Sequence, residues 1–110
     1  MRSMPKPPKA YEQFLKRYPK IEEAWERISE IGKDGPLDER TMRLVKLAVA
    51  IGALREGAVR AGVRKALAQG ITRAEVEQVI ALAVGTIGLP ASVAVFSWAQ
   101  DVISKPGKKR

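Results

Sequence analysis

Four charged residues near the middle of the chain are the best candidates for a catalytic or ligand-binding site. Glu56 follows Arg55 directly, and Arg60 and Arg64 come after it at intervals of four residues. This spacing places Glu56, Arg60 and Arg64 on one face of a helix. Paired arginines there could hold the carboxylate of a small organic acid while Glu56 moves a proton. The same spacing also suits an ordinary surface ladder of ion pairs, so both interpretations stay open.

The residue types that the chain lacks exclude several classes of catalytic and metal-binding site. The 110 residues include no cysteine and no histidine. The chain therefore has no thiolate nucleophile, disulfide or thiolate metal site, and it lacks the commonest metal ligand and general base. It also has no glycine-rich phosphate loop and no metalloprotease motif. We expect no metal and no cofactor, and whether the chain is an enzyme stays open.

The positive charge is concentrated at the two ends of the chain. The formal net charge is +8, yet seven basic residues lie in residues 1–9 and 105–110. The residues between them hold 13 basic and 12 acidic side chains. We predict flexible basic tails at 1–9 and 105–110 around one domain at 10–104. The tails leave open an alternative function, in which a non-enzymatic oligomer binds nucleic acid or an anionic partner through them.

A long uncharged stretch raises the question of a membrane span. No charged residue occurs from Gln78 to Gln100, and residues 79–99 are long and apolar enough to cross a bilayer. Gly88 and Pro90 interrupt this stretch, so two buried helices around a tight turn explain it better. The chain also starts without an apolar leader. We expect a cytoplasmic protein with no membrane partner, and its abundant arginine and missing asparagine are compatible with a thermophile.

Apolar spacing predicts an all-α bundle of about six helices. Amphipathic helices are expected at residues 11–18 and 19–31, followed by a loop rich in glycine and proline. Four more helices should follow, with Asp38 as the N-cap of the first and Thr72 with Glu75 as the capping box of the third. Trp25 and Trp98 lie on apolar stripes and should belong to the core.

The four helices between residues 38 and 104 are more uniformly apolar than a monomer of this size can hide. Their apolar residues are nearly continuous instead of forming one stripe. We therefore predict that the protein associates with itself.

Several stretches together resemble the carboxymuconolactone decarboxylase family, which includes the alkylhydroperoxidase D-like proteins. They are LDERT at 37–41, LAVA at 47–50, ALAQGIT at 66–72 with EV at 75–76, and GLP at 88–90 before a last helix. The resemblance covers about residues 37–104. It implies an all-α, alkylhydroperoxidase D-like bundle that assembles into a homotrimer or homohexamer, with decarboxylase or peroxiredoxin-type activity.

The residues that carry the family's chemistry do not match. The resemblance places Arg43 where the peroxidase branch has a glutamate, Arg55 and Ala58 at its two cysteines, and Gly62 at its histidine. A peroxidase needs a thiolate, so peroxide reduction is not expected. What remains is a site for a small organic acid or lactone, with Glu56 as the catalytic candidate and the arginines at 43, 55, 60 and 64 as substrate-binding candidates.

Overall fold

A computed structural model describes residues 8–104, which form six helices and no strand. The predicted all-α fold class is therefore confirmed. The helices are α1 (Lys9–Arg17), α2 (Pro19–Ser29), α3 (Glu39–Gly52), α4 (Glu56–Ala68), α5 (Arg73–Ile87) and α6 (Leu89–Ser104). Helix α1 begins one residue before the predicted domain start at residue 10. Apart from Pro8 and Lys9, the predicted tails lie outside the described residues. The described residues divide into two units, 8–37 and 38–104.

The first unit is a helical hairpin that turns at Tyr18. The amide of Tyr18 donates to the carbonyl of Phe14 and ends α1, and Pro19 fits the first turn of α2 because that position has no intrahelical partner for an amide. The rings of Phe14 and Tyr18 lie 5.3 Å apart between centroids. Neither helix has a buried residue. The expectation that Trp25 belongs to the core is wrong in this structure, since its side chain is 53% exposed.

The second unit is a four-helix bundle with one apolar core. Helix α3 packs against α4 and α5, and α6 packs against the same two helices. The core contains aliphatic side chains from all four helices, and Trp98 packs against it as expected. Its buried members are Leu47, Ile51, Val59, Val63, Ala66, Ile71, Val76, Ile80, Val95 and Ala99.

The predicted helix starts in this bundle are confirmed. Asp38 accepts a hydrogen bond from the amide of Thr41 at 2.8 Å and so caps α3. Thr72 and Glu75 form a complete capping box at the start of α5, with both reciprocal hydrogen bonds present. Gly70 follows α4 with a φ of +91°, which favours glycine because a side chain would be strained there.

Glu75 also connects the beginnings of two helices. Besides completing the capping box, its carboxylate accepts hydrogen bonds from the Arg40 guanidinium on α3. Arg40, together with the amide of Thr72, lowers the pKa of Glu75 to about 2. The ionised carboxylate is therefore part of the folded arrangement.

Helices α3 and α4 approach each other closely at a glycine. Gly62 is buried, and a Cβ placed on it would lie 3.1 Å from Cδ1 of Leu47, which is itself fully buried. No other heavy atom outside α4 would come closer to that Cβ. The absence of a side chain at 62 thus sets how closely the two helices approach.

The low pKa of Glu75 predicts how acid destabilises the protein. A carboxyl group whose pKa is lower in the folded than in the unfolded protein stabilises the folded state. This stabilisation is complete when the pH is above the pKa of the unfolded protein, and it is lost as the pH falls through the pKa of the folded protein. For Glu75 this window runs from 4.5 down to about 2. We expect Glu75→Gln, which can still complete the capping box, to lower Tm at neutral pH and to approach the Tm of the unmodified protein near the acid end. Thermal melts across this pH range would contradict the role of Glu75 if the difference in Tm stayed constant.

The packing at Gly62 predicts opposite effects for two glycines of the same helix. Gly62→Val should destabilise the protein by roughly 1–3 kcal/mol, because the added methyl groups overpack against Leu47. Gly57→Ala is the matched control, since nothing lies within 4 Å of a Cβ there. It should stabilise the protein by about 0.5 kcal/mol through helix propensity. Urea unfolding measures the change in the free energy of unfolding for each substitution. Equal changes would contradict the close contact between Gly62 and Leu47.

Candidate functional site

The residues predicted to carry chemistry begin at the start of α4. Arg55 is the N-cap residue of this helix and is exposed, and no ion pair among residues 8–104 includes it. Leu54, just before it, adopts a φ of +54°, a left-handed conformation that is uncommon for a residue with a side chain. The turn therefore places Glu56 at the first position of α4, where the helix dipole favours a carboxylate.

Arg60 is held between two carboxylates. Its Nε donates to Oε2 of Glu56 at 3.0 Å, and its Nη2 donates to Oδ2 of Asp101 at 3.0 Å. Asp101 and then Glu56 raise the pKa of Arg60, because both stabilise its charged form. The guanidinium is thus occupied by protein carboxylates, and the arrangement connects α4 to α6.

The sequence predicts only half of this arrangement. The spacing of four residues indicates the contact between Glu56 and Arg60, whereas Asp101 lies 41 residues from Arg60. Asp101 is the first charged residue after the uncharged stretch at 78–100, and this was the available signal. Its role emerges only when α6 packs on α4.

A second group of cations lies at the contact between α3 and α4. Arg43 on α3 is half-buried, and burial lowers its pKa. Burial also lowers the pKa of Lys65 on α4, and the charges of Arg43, Lys46 and Arg64 lower it further. The three arginine and lysine neighbours are near enough to Lys65 to act on its charge, and we call the four residues the basic cluster.

The basic cluster has no acidic counterpart among the described residues. None of the ion pairs within residues 8–104 includes any of its four members. The Nε of Arg43 is buried and has no hydrogen-bond partner. A buried donor without an acceptor is destabilising, and it is uncommon in folded proteins. The cluster can therefore accept an anion, whose oxygens would serve as acceptors.

The structure thus gives the predicted site residues two different sets of neighbours. Arg60 turns toward Asp101 on α6, whereas Lys65 lies near Arg43 of α3. Positions five residues apart differ by about 140° around a helix, which explains the separation. Arg43 and Arg64 belong to the basic cluster, whereas Glu56 and Arg60 belong to the pairing with Asp101. Lys46 and Lys65 were missed from the sequence, because a contact between two helices has no local signature.

The position that corresponds to the family's histidine is occupied by a glycine in this chain. Gly62 lies against Leu47, and even a Cβ would be in tight contact. A side chain at 62 would require the side chain of Leu47 to move. Ala58, at one of the expected cysteine positions, lies one turn earlier on α4 and is exposed.

An apolar groove lies between α3 and α5. Its volume is about 380 Å³. Its lining contains no charged side chain and only two hydroxyl groups, which belong to Thr41 and Thr86. The lining residues are Thr41, Leu44, Val45, Ala48, Gly52, Val79, Leu82, Ala83, Thr86 and Ile87. We call it the α3–α5 groove.

Other kinds of site find no support in the described part of the chain. Residues 8–104 contain no group of three acidic side chains that could hold a metal ion. Among the same residues, no helix combines the length and apolarity needed to cross a membrane. The uncharged stretch instead forms most of α5 and α6, which meet at Gly88.

Comparison with known proteins identifies the family. No curated protein and no solved structure matches the chain at a significant level. The model of the carboxymuconolactone decarboxylase family matches residues 19–101, which is most of the chain. This match extends over α2 and nearly all of the four-helix bundle, and it includes the stretches at 37–90 that carry the resemblance. The chain therefore belongs to the carboxymuconolactone decarboxylase family.

Proposed function

We propose that this protein is a homo-oligomeric member of its family that binds a small organic acid at the basic cluster and performs no thiol chemistry. The observation that carries the proposal is the buried Nε of Arg43, which has no hydrogen-bond partner and lies in a group of four cations. A carboxylate bound to the accessible nitrogens of the cluster offsets the burial of the Arg43 charge and the repulsion that neighbouring cations exert on Lys65. The ligand is thus part of what makes the arrangement favourable.

The absence of cysteine supports the restriction on chemistry. Reduction of a peroxide by a protein thiol requires a thiolate to attack oxygen, and no other side chain of this sequence replaces it. A fold shared with peroxidases does not supply that group.

Decarboxylation of an acid or lactone is the second candidate, and it depends on Glu56. This carboxylate is the only acidic group of the predicted site, and it is half exposed and bonded to Arg60. Glu56 is bonded to Arg60, whereas the charges that act on Lys65 come from Arg43, Lys46 and Arg64, and this supports binding over turnover at the cluster. Release of carbon dioxide from a carboxylated lactone, lost in Glu56→Gln, would instead favour the enzyme.

Binding at the basic cluster is tested by removing the charge of Arg43. We expect the protein to bind a dicarboxylate such as adipate, and Arg43→Gln to weaken that binding roughly 10- to 100-fold. This range corresponds to the loss of a charged hydrogen bond worth about 1.5–3 kcal/mol. Isothermal titration calorimetry at low and moderate salt measures the affinity.

Lys33→Gln provides the matched control, because it removes one positive charge from an exposed loop outside the basic cluster. It should leave the affinity within about twofold, since an exposed charge that makes no contact with the ligand is screened by salt. If Lys33→Gln and Arg43→Gln weaken binding of the dicarboxylate equally, the net charge of the protein alone attracts the ligand. The proposal of a site at the basic cluster would then be wrong.

The apolar surface of the four-helix bundle supports self-association. Leu82 is 73% exposed at the α3–α5 groove, and Val45 and Val49 are exposed on α3 nearby. Exposed apolar groups in such proximity are typical of surfaces that contact another protein. We infer that this groove contacts another subunit, in keeping with the expected homotrimer or homohexamer.

A charge placed in the α3–α5 groove tests this contact. Leu82→Glu should lower the native mass of the assembly, because a carboxylate would be buried in an apolar interface. Gln78→Glu adds the same charge one turn earlier on α5, outside the groove lining, and serves as the control. Native mass spectrometry and light scattering measure both. A monomeric unmodified protein, or an unchanged mass for Leu82→Glu, would contradict the proposal.

A further inference from the structure

The packing of α3 on α4 explains why Lys65 lies near Arg43. Only residues 53–55 join the two helices, so they pack side by side in opposite directions. Leu47 lies against Gly62 where the helices approach closely. One turn back along α3 from Leu47 is Arg43, and one turn forward along α4 from Gly62 is Lys65. The two cations are therefore brought together by the register of the helices.

The surroundings of Lys65 oppose a charged ammonium group. Burial is the largest cause that lowers its pKa, and three neighbouring cations lower it further. These cations are Arg43 and Lys46 on α3 and Arg64 on α4 itself. Each of them disfavours a further positive charge, so the neutral amine of Lys65 is more populated than that of an isolated lysine.

No carboxylate is among the charges that act on Lys65 within the described part of the chain. Helices α5 and α6 also contact α4, but several of their acidic side chains are paired with other groups. These pairs are Asp101 with Arg60, Glu75 with Arg40, and Glu77 with Arg73. The positive surroundings of Lys65 are therefore not offset by the protein itself.

A lysine in such surroundings can act as a nucleophile toward a carbonyl group. The attack requires the neutral amine, which burial and neighbouring cations favour. Lys65 is also exposed, so a small molecule can reach it. Arg43 and Arg64, by contrast, stay positively charged at any pH at which proteins are folded. The basic cluster thus combines a nucleophile with permanent cations that can bind a carboxylate.

We propose that Lys65 forms an imine with the carbonyl group of a short oxo acid, whose carboxylate is bound by the neighbouring cations of the basic cluster. This inference rests on the proposed function and specifies that the acid also carries a carbonyl group. In pyruvate, for example, the carbonyl carbon is bonded directly to the carboxylate, so both groups can reach the same cluster. One carboxylate offsets one of the three neighbouring charges, and the surroundings of Lys65 stay positive.

The reaction exchanges the carbonyl oxygen of the acid for the nitrogen of Lys65. The lone pair of Nζ attacks the carbonyl carbon and forms a C–N bond, which gives a carbinolamine. The C–O bond then breaks, and the oxygen leaves as water with the two protons that the nitrogen loses. No group is oxidised or reduced, and no further reactant is needed. Water can hydrolyse the resulting C=N bond, so the modification is reversible.

Reductive trapping in the full-length protein tests the imine. Cyanoborohydride converts an imine with pyruvate into a stable secondary amine, which peptide mapping by mass spectrometry locates. At neutral pH we expect Lys65 to be labelled about tenfold faster than Lys33 and Lys46. These two lysines are internal controls, because they are exposed as Lys65 is. Adipate should slow the labelling of Lys65, since it competes for the same cations, and leave that of Lys33 unchanged.

The pH dependence of trapping tests the electrostatic origin of the reactivity. The advantage of Lys65 over Lys33 should become smaller as the pH rises toward 10.5, the ordinary value for a lysine. An ordinary lysine amine also becomes neutral in that range. An advantage that stays constant over this range would contradict the role assigned to the surrounding cations.

Substitutions separate the nucleophile from the charges around it. Lys65→Arg keeps the positive charge but removes the amine, so it should abolish the preferential label and leave the affinity for adipate within about twofold. Arg43→Gln keeps Lys65 but removes a cation that binds the acid, and it should slow labelling of Lys65 about tenfold. Lys33→Gln is the matched control and should leave labelling of Lys65 unchanged. Circular dichroism confirms that the variants fold.

Two results would overturn the inference. One is equal labelling of Lys65, Lys46 and Lys33, since reactivity would then follow exposure alone. The other is labelling of Lys65 that does not change in Arg43→Gln. Calorimetry with adipate distinguishes this inference from the proposed function. If adipate binds but Lys65 is not labelled preferentially, the imine is wrong and the acid-binding site stands, whereas failure of adipate to bind contradicts the proposed function itself.

Discussion

The close approach of α3 and α4 at Gly62 is the constraint on which the rest of the bundle depends. Because Gly62 has no side chain, Leu47 lies directly against the backbone of α4 and becomes fully buried. This contact allows Val59, Val63 and Ala66 to enter the same core as Leu47. It also brings Arg43, one turn before Leu47, close enough to lower the pKa of Lys65. The packing of the core and the position of the basic cluster therefore have one origin.

The charged residues of the bundle serve two different purposes. Arg40 with Glu75, and Arg60 with its two carboxylates, connect helices that are distant in sequence. Such pairs are largely exposed and contribute modestly to stability, but they favour one arrangement of the helices. Arg43 and Lys65 have no such carboxylate. Burial opposes the charge of both, and neighbouring cations also oppose the charge of Lys65. Proteins tolerate unfavourable electrostatics of this kind where binding compensates for it, and this is why the cluster is the better candidate for a ligand site.

The apolar surface is divided between two regions that need not have the same partner. In the bundle, the α3–α5 groove lies among small residues such as Ala48 and Gly52, which allow another helix to approach closely. In the hairpin, aromatic and large aliphatic side chains dominate, and charges of opposite sign surround them. The two regions therefore differ in the apolar side chains that they expose.

Local features of the sequence determined the helices and their ends. Asp38, the pair Thr72 and Glu75, and Gly70 act within a few residues of themselves, so their roles could be predicted without knowledge of the fold. The same holds for the contact from Glu56 to Arg60, and for the exclusion of thiol chemistry, which needs only the composition. The family also followed from short stretches in the right order.

Only the tertiary structure decided which of these residues meet. Asp101 binds Arg60 across 41 residues, and Lys65 joins Arg43 rather than Glu56, because the packing of α3, α4 and α6 selects the neighbours of each face. Trp25 lies on an apolar stripe as predicted, yet the stripe is exposed, since periodicity shows which face is apolar and not what covers it. Helix formation depends on residues three and four apart, whereas a site depends on distances between helices. That difference in range is the physical reason why the sequence determined the elements and the fold determined the site.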